Sequence, residues 1–572
     1  MSRHLSSFVA STPAEETAQL DWDEVRRDII GRAATVRTPY GERLVTYADF
    51  TASGRGLRRI ERYMEHILEL YANTHTEDDA TGACTSRRLA AAEQLILRRI
   101  NAGEQYSLIT AGAGSTAAVT RLQQILGIYM APVTGERIHR DGKIPTEQLP
   151  VVFVGPYEHH SNEISWREGL CQVVEVELDA AGHLSLQDLE EKLSDPAFDG
   201  RRKIGSFSAA SNVSGILTDV PAVARLLHRH GALAFFDYSA SAPYVTIDVT
   251  GEGDAYLDGV FFSPHKYLGG PGAAGVLVIR NELYRDDLPP SVAGGGTVRF
   301  VNASTQDYVS DIQEREKAGT PAILQTIRAA LAIDVQHRLG IDRIKVREHE
   351  LLQRGLARFE SIPEVETICD APAEDRLAIL SFNVRSAGAY LHPRFVVRLL
   401  NDLFGIQSRA GCSCAGPYGH RLLHIDLDTS ERYRRYIAGG HEGVKPGWVR
   451  LNFHYLLTDE EFEYLCRAIE FVARYGTLFL QDYRFDEASG RWIHRAENEE
   501  VVTVSAAEAF AAGDTTATAG HELSEDTAGQ RRDGYLAAAR DRAAVLERSF
   551  VPEEVHATTD ELIPFSYMFA ER

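Results

Sequence analysis

From about residue 88 to 330 the chain alternates amphipathic stretches with short apolar runs bounded by glycine and polar residues. The order is "RRLAAAEQLILRRI", "YSLIT", "TAAVTRLQQILGIYM", "LPVVFVG", "SLQDLEEKLS", "KIGSFSA", "VPAVARLLHRHG", "ALAFFDYS" and "DGVFFSP". Repeated strand–helix alternation predicts an α/β architecture, with a mainly parallel sheet and helices on both faces. Ligands of such sheets sit beyond the carboxyl ends of the strands. Those ends carry "TAGAGS", "GPYEHHSN", "SAASN", "DYSASAP" and "SPHK", so polar and glycine-rich loops converge on one edge. After about residue 331 a long helical stretch, the strand-like "RLAILSFNV" and the helix candidate "PRFVVRLLNDLFG" read as a smaller α+β domain.

The expected layout is therefore 1–45, an N-terminal segment packing on the small domain; 46–330, the large domain; 331–480, the small domain; and 481–572, an extension. In the extension "FLQDYRFDEASGRWIH" reads as a hairpin turning at Gly490. Residues 504–530, rich in Ala, Thr, Gly and Glu, read as a mobile linker before a terminal helix, "YLAAARDRAAVLERS". Lys+Arg of 60 against Asp+Glu of 82 gives a net charge of −22, which argues against nucleic acid or anionic membrane as partners. No apolar run approaches the roughly 18–20 residues of a membrane span, and the first residues lack an apolar signal core. The chain is read as cytoplasmic. Six cysteines in 572 residues make no disulfide framework. Only Cys412 and Cys414 stand close together, and with no second ligand pair at zinc-type spacing no metal is expected.

The chemistry gathers at three places. In "VFFSPHKYLGGPGAAGVLVI" two buried strands flank a glycine-rich turn carrying Ser263, His265 and Lys266. An amine that attacks a carbonyl needs a pKa below its free value of about 10.4, through burial or a nearby cation. Asp237, at a strand end after "ALAFF", needs a cationic partner if buried. "TAGAGST" between a strand and a helix is a backbone nest suited to a phosphate. Lysine, aspartate and phosphate cradle are the handles that pyridoxal phosphate requires.

The stretches "YADFTASG", "TAGAGSTAAV", "EHHSNEISWRE", "SNVSGILTDV", "HGALAFFDYSASAPYVTIDV", "DGVFFSPHKYLGGPGAAGVLV", "AGTPAILQTI" and "SRAGCSCAG" carry a resemblance over about residues 45 to 470. In order and spacing the chain resembles the class V, fold type I family of pyridoxal-phosphate enzymes, above all cysteine desulfurases and selenocysteine lyases. The resemblance implies a seven-stranded sheet of the fold type I kind and assigns roles. Lys266 would bond the cofactor and carry a proton at the substrate α-carbon. Asp237 would hold the ring nitrogen protonated, His159 would stack on the ring and join proton transfer, and Asn212 would lie near the ring hydroxyl. Gly114, Ser115 and Thr116, with Ser263 and His265, would hold the phosphate. Thr320 would reach the phosphate of a neighbouring subunit, which implies a homodimer with shared sites.

Arg450 matches the arginine that grips the α-carboxylate of an amino-acid substrate, and Arg409 is a second candidate. "RAGCSCA" places Cys414 as the thiol that takes sulfur from L-cysteine, or selenium from selenocysteine, leaving alanine. Five departures loosen the identity of the substrate, two of them being Gly114 in place of the threonine usual in the phosphate loop and the tail beyond residue 480. Ala240 stands where the family has a glutamine that donates to the ring hydroxyl, Tyr244 stands where a histidine is expected, and an insertion separates the cysteine loop from Arg450. The alternative reading is another class V reaction, a C–S β-lyase, epimerase or aminotransferase. A third reading is a delivery role, with the acidic tail docking a sulfur-acceptor protein.

Overall fold

The computed structural model describes residues 18–74, 76, 78–141, 144–386, 389–497, 505–511 and 524–549. Seven strands form the large sheet: β1 (Tyr106–Ala111), β2 (Val151–Val154), β3 (Gln172–Glu175), β4 (Lys203–Ser208), β5 (Leu233–Asp237), β6 (Gly259–Phe262) and β7 (Gly275–Arg280). Their order is β1-β7-β6-β5-β4-β2-β3. Pairing is parallel from β6 through to β3, and only β7 runs against its neighbours. Burial on both faces explains the unbroken apolar runs: every residue of β2 and β6 is buried. With β7 alone reversed, the carboxyl ends of β1, β2, β4, β5 and β6 share one edge. In β5, Asp237 ends the strand directly beside Ser208 of β4.

Helices α1 (Ala80–Arg99), α2 (Ser115–Ile125), α3 (Leu186–Leu193) and α4 (Val220–Arg229) cover the sheet. Local chemistry starts them: Asp219 accepts from Ala222 N with a proline in the first turn of α4, and Ser185 accepts from Asp188 N in α3. Helix α2 differs, since its N-cap is Gly114 with no side-chain cap. Its first N–H groups are met without a side chain from the N-cap: Ser115 N donates to Ser263 Oγ, and Ala117 N and Ala118 N to Gly114 O.

Helices α5 (Ile323–Leu339) and α6 (Ile341–Glu360) lead into the second layer. The buried residues of α5 join the large core through Leu339, whereas Leu351, Leu352 and Phe359 of α6 belong to the other core. The core thus changes over within α6, beyond the division expected near residue 330. The smaller sheet is antiparallel, with β8 (Val365–Thr367), β9 (Ile379–Ser386), β10 (Arg409–Gly411) and β11 (Trp448–Asn452) in the order β8-β9-β11-β10. Helices α7 (Pro393–Phe404) and α10 (Asp459–Tyr475) pack on it; α10 opens with a capping box of Thr458 and Glu461. Between β10 and β11 the insertion folds as α8 (Gly416–Leu422) and α9 (Leu427–Ala438).

The segment expected to pack on the small domain divides: Leu20, Trp22, Val25 and Ile29 pack on the large core, with Trp22 Nε1 donating to Leu339 O, whereas Arg43 Nε donates to Leu403 O and Tyr40 OH to Asp482 in the second layer. The rest of the segment expected there, residues 1–17, is outside the described residues. The hairpin comprises β12 (Tyr483–Asp486) and β13 (Arg491–His494), with Gly490 left-handed at φ 67°. The terminal helix α11 spans Glu525–Ser549, so it begins inside the stretch read as linker, while 512–523 lies outside the described residues. A stripe of Ala528, Arg532, Leu536, Ala539, Ala543 and Leu546 faces the core, and Arg532 pairs there with Glu461. The small Ala528 and the charged Arg532, which are the stripe's members in the early turns, hid those turns from an apolar-periodicity reading. Among the described residues no helix is long and apolar enough to cross a membrane.

Candidate active site

A cavity of about 240 Å³ opens where the strand ends meet the second layer. Gly114, Ser115, Thr116, His159, Asn212, Asp237, Ser263, His265, Lys266, Arg409, Cys414 and Arg450 all line it. Thr320 does not: its hydroxyl accepts from Asn73 Nδ2 at 2.9 Å, away from the cavity.

The lysine turn is held by close approach rather than by flexibility. Lys266 N donates to Ser263 O at 3.1 Å and Gly270 N to Tyr267 O at 3.0 Å. A Cβ on Gly270 would come within 1.9 Å of Pro264 O, and one on Gly275 within 2.3 Å of Gly114 O. These two glycines let the lysine turn and the start of α2 nest together. There Ser115 N donates to Ser263 Oγ at 2.9 Å, and a Cβ on Gly114 would lie 3.2 Å from that oxygen.

Burial sets the electrostatics. It lowers the Lys266 amine to about 8, with Arg450 and Arg409 adding to the effect and Asp237 opposing it. Burial likewise raises the Asp237 carboxyl, although Ser239 donates to it from its backbone N at 2.8 Å. Among the described residues Asp237 has no ion pair. Glu158 behind it is pushed up to about 7 by burial, against hydrogen bonds from Ser208 and Asn162. His159 is lowered to about 4 by burial and then by Lys266, so it is neutral at pH 7. Its Nδ1 accepts from Ser161 N at 3.1 Å, which puts the proton of the neutral ring on Nε2. His265 falls to about 4 for the same two reasons.

The cysteine loop is short and anchored. Ser413 and Cys414 are both left-handed, at φ 52° and 58°, a conformation costing about 1–3 kcal/mol for each non-glycine residue. What holds them is contact with the large layer. Asn212 Nδ2 donates to Ser413 O at 2.6 Å, and His160 N to Cys414 O at 2.8 Å. Gly416 N donates to His160 Nε2 at 2.9 Å. Cys414 is exposed, whereas Cys412 packs against the core. Beyond the loop, Arg421 of α8 pairs with Glu175 and Glu177, fixing the insertion to the sheet edge.

Arg450 is buried on β11, with Nη1 donating to Asn212 O and Nη2 to Asp49 Oδ1. Arg409 is half-exposed and reaches the same carboxylate. Sequence reading missed Asp49 and His160, although "YADFTASG" and the doubled histidine of "EHHSN" contain them. Ala240 lines the cavity, as its place three residues after Asp237 requires. Tyr244 does not; it is buried in the core with Asn452 Nδ2 donating to its hydroxyl.

Five buried polar atoms around the cavity have no partner among the described residues: Thr51 Oγ1, Asn212 Oδ1, Ser239 Oγ, Ser413 Oγ and Arg450 Nε. Buried polar groups are seldom left unpaired, so this set describes a polar ligand of some size.

Comparisons with known proteins agree with this geometry. Residues 46–465 match the family Aminotransferase class-V. A probable cysteine desulfurase of Halalkalibacterium halodurans is 27% identical over 408 residues, covering 71% of this chain and 91% of the relative. One of Streptomyces coelicolor is 28% identical over 406 residues, covering 70% and 89%. The solved cysteine desulfurase of Thermococcus onnurineus superposes with a TM-score of 0.63 at 24% identity, over 80% of this chain and 99% of that one, which shows a shared fold.

Proposed function

Because the chain belongs to the aminotransferase class-V family, a pyridoxal-phosphate-dependent family, we propose that it is a cysteine desulfurase-like enzyme taking sulfur from L-cysteine onto Cys414. The observation that carries the reading is one cavity lined by Lys266, Asp237, Arg450 and Cys414. The residues fit the cofactor. Asp237 supplies the buried carboxylate for a ring nitrogen, and the uncapped start of α2 with Ser263 and His265 supplies the phosphate cradle. Asn212 Oδ1 and Ser239 Oγ are polar atoms still wanting partners. Bound there, pyridoxal phosphate offers a carbonyl to the lysine amine and a ring that draws electrons from the substrate α-carbon.

The chain's own groups do the rest. Lys266 binds covalently through its amine and carries a proton to and from the α-carbon. His159, neutral with its proton on Nε2, joins the proton traffic at the ring side. Arg450, with Arg409, takes the α-carboxylate through its unpaired donors. Cys414 Sγ, as thiolate, forms a bond to the substrate sulfur while the bond from that sulfur to the β-carbon breaks. The electron pair stays on carbon, the β-carbon takes a proton, and alanine leaves with a persulfide on Cys414. Thr320 serves the phosphate site of a second copy, and a sulfur-acceptor protein takes the persulfide sulfur at the exposed loop.

The test is product analysis with the B6-loaded enzyme on L-cysteine, L-selenocysteine and sulfur-free amino acids. Alanine from cysteine is the expected outcome. Undiminished activity on sulfur-free amino acids in Cys414→Ala would favour a different class V reaction.

Two further outcomes are expected. The rate at which apoprotein captures pyridoxal phosphate covalently should rise as pH passes through about 8, because only the free Lys266 amine attacks the carbonyl. A pH series of stopped-flow absorbance checks it; an inflection near the ordinary lysine value would contradict it. His160→Ala removes the acceptor of Gly416 N and leaves that donor unpaired, a cost of about 1–3 kcal/mol. Turnover of cysteine should fall about tenfold with the cofactor absorbance unchanged, and His160→Gln should recover part of it.

A further inference from the structure

A second cavity, of about 60 Å³, lies where the N-terminal segment, the chain around Thr46 and the stretch after β11 meet. A water needs about 10–15 Å³ of such space, so this cavity has room for about five non-hydrogen atoms. None of the residues assigned above to cofactor or substrate lines it.

Its polar wall is unfinished. Thr46 is 3% exposed, and its Oγ1 has no partner among the described residues. The cations of the wall are Arg26, Arg32 and Arg55, and its one carboxylate is Glu461. Arg26 pairs with Asp23, Arg32 pairs with Glu525, and Arg32 shares Glu461 with Arg532 behind it. Asp49, two residues from Tyr47, is taken by Arg409 and Arg450. Four cations thus meet three carboxylates, and Arg55 is left over. Its guanidinium donates to Ile30 O at 2.8 Å and lies over the ring of Tyr47, with no carboxylate among the described residues. Tyr47 and His454, the remaining titratable groups of the wall, are neutral at pH 7. Burial raises the first to about 12 and lowers the second to about 3.

Arg55 is fixed where it stands. Gly269 N donates to its backbone O at 2.7 Å. Gly31, left-handed at φ 80°, leaves room where a Cβ would come within 2.4 Å of Arg55 Nη2. The rest of the wall is apolar, from Ile29, Val45, Phe50, Leu456 and Leu457.

One unbalanced cation, one buried hydroxyl without a partner and an apolar wall describe a small anion with a carbon body. We propose that this cavity binds a short monocarboxylate, about the size of propionate, at a site separate from the substrate site. The carboxylate meets Arg55 and Thr46, and the alkyl end lies against the apolar wall.

The test uses the B6-loaded enzyme in carboxylate-free buffer with sodium propionate as the probe, and with L-alanine added to occupy the substrate arginines. Calorimetry should give one propionate per chain with a Kd of about 1 mM. Arg55→Gln should weaken it about tenfold or more, and Thr46→Val about fivefold. Thr46→Val keeps the shape and removes an unpaired hydroxyl, so without propionate it should melt no lower than wild type. Added propionate should then raise the melting temperature of wild type more than that of Thr46→Val. Should Arg55→Gln not fold, Thr46→Val decides alone. The same Kd in wild type and Thr46→Val would put the bound propionate elsewhere and overturn the proposal. So would propionamide or sulfate binding as tightly as propionate, or a Thr46→Val that melts well below wild type, which would mean that the hydroxyl serves the fold.

Discussion

Lys266→Ala is expected to lower turnover of L-cysteine by about a thousandfold to ten-thousandfold. The absorbance of cofactor bonded to protein should vanish with it, and borohydride should no longer fix the cofactor to the chain. The size of the effect follows from the position. The amine stands on a turn locked by Gly270 and Gly275, and burial brings it to about 8, where a useful fraction is unprotonated near neutral pH. Among the described residues no other lysine lines the cavity, so no neighbouring amine takes over. Added methylamine should recover part of the activity, because it restores the nucleophile without the tether. A variant keeping more than about a tenth of wild-type turnover would place the covalent and proton-carrying roles elsewhere.

Cys414→Ala is expected to lower alanine formation from L-cysteine by about a hundredfold or more, about 2.7 kcal/mol in the barrier. The spectrum of bound cofactor should be unchanged. The two readouts separate because the loop is held through backbone groups: Asn212 Nδ2 binds Ser413 O, and His160 N binds Cys414 O. Neither contact involves the thiol. A trapped persulfide should appear on Cys414 in the wild type, read by mass after alkylation, and be missing from the variant. Cys412 packs against the core and lies outside the cavity lining. Cys412→Ala should therefore keep most of the activity, and loss equal to that of Cys414→Ala would argue for a relay between the two thiols.

Much of this site could be read along the chain. Strand and helix periods differ, so the alternation from about residue 88 exposes the sheet. The glycine-rich ends of its strands mark where Asp237 and Lys266 meet, which the cavity bears out. Groups defined by pairing across the fold escaped that reading. Nothing in the spacing of residues 409 and 450 says that β10 and β11 set them face to face, nor that a carboxylate from residue 49 lies between them. The anchoring of the cysteine loop by His160 was equally hidden, since a doubled histidine in a polar loop has no periodicity to mark it. Tyr244 went the other way. It sits two turns of sequence from the aspartate, yet its ring is buried against His454 and Tyr455, in the core.

By itself the sequence determined the layered architecture and the glycine-rich turn before α2, because each depends on neighbours within a few residues. The tertiary structure alone decided the charge balance around the substrate side and the strained, fixed path of the cysteine loop. Both arise where segments hundreds of residues apart come within hydrogen-bond distance, and electrostatic energy depends on separation in space rather than along the chain.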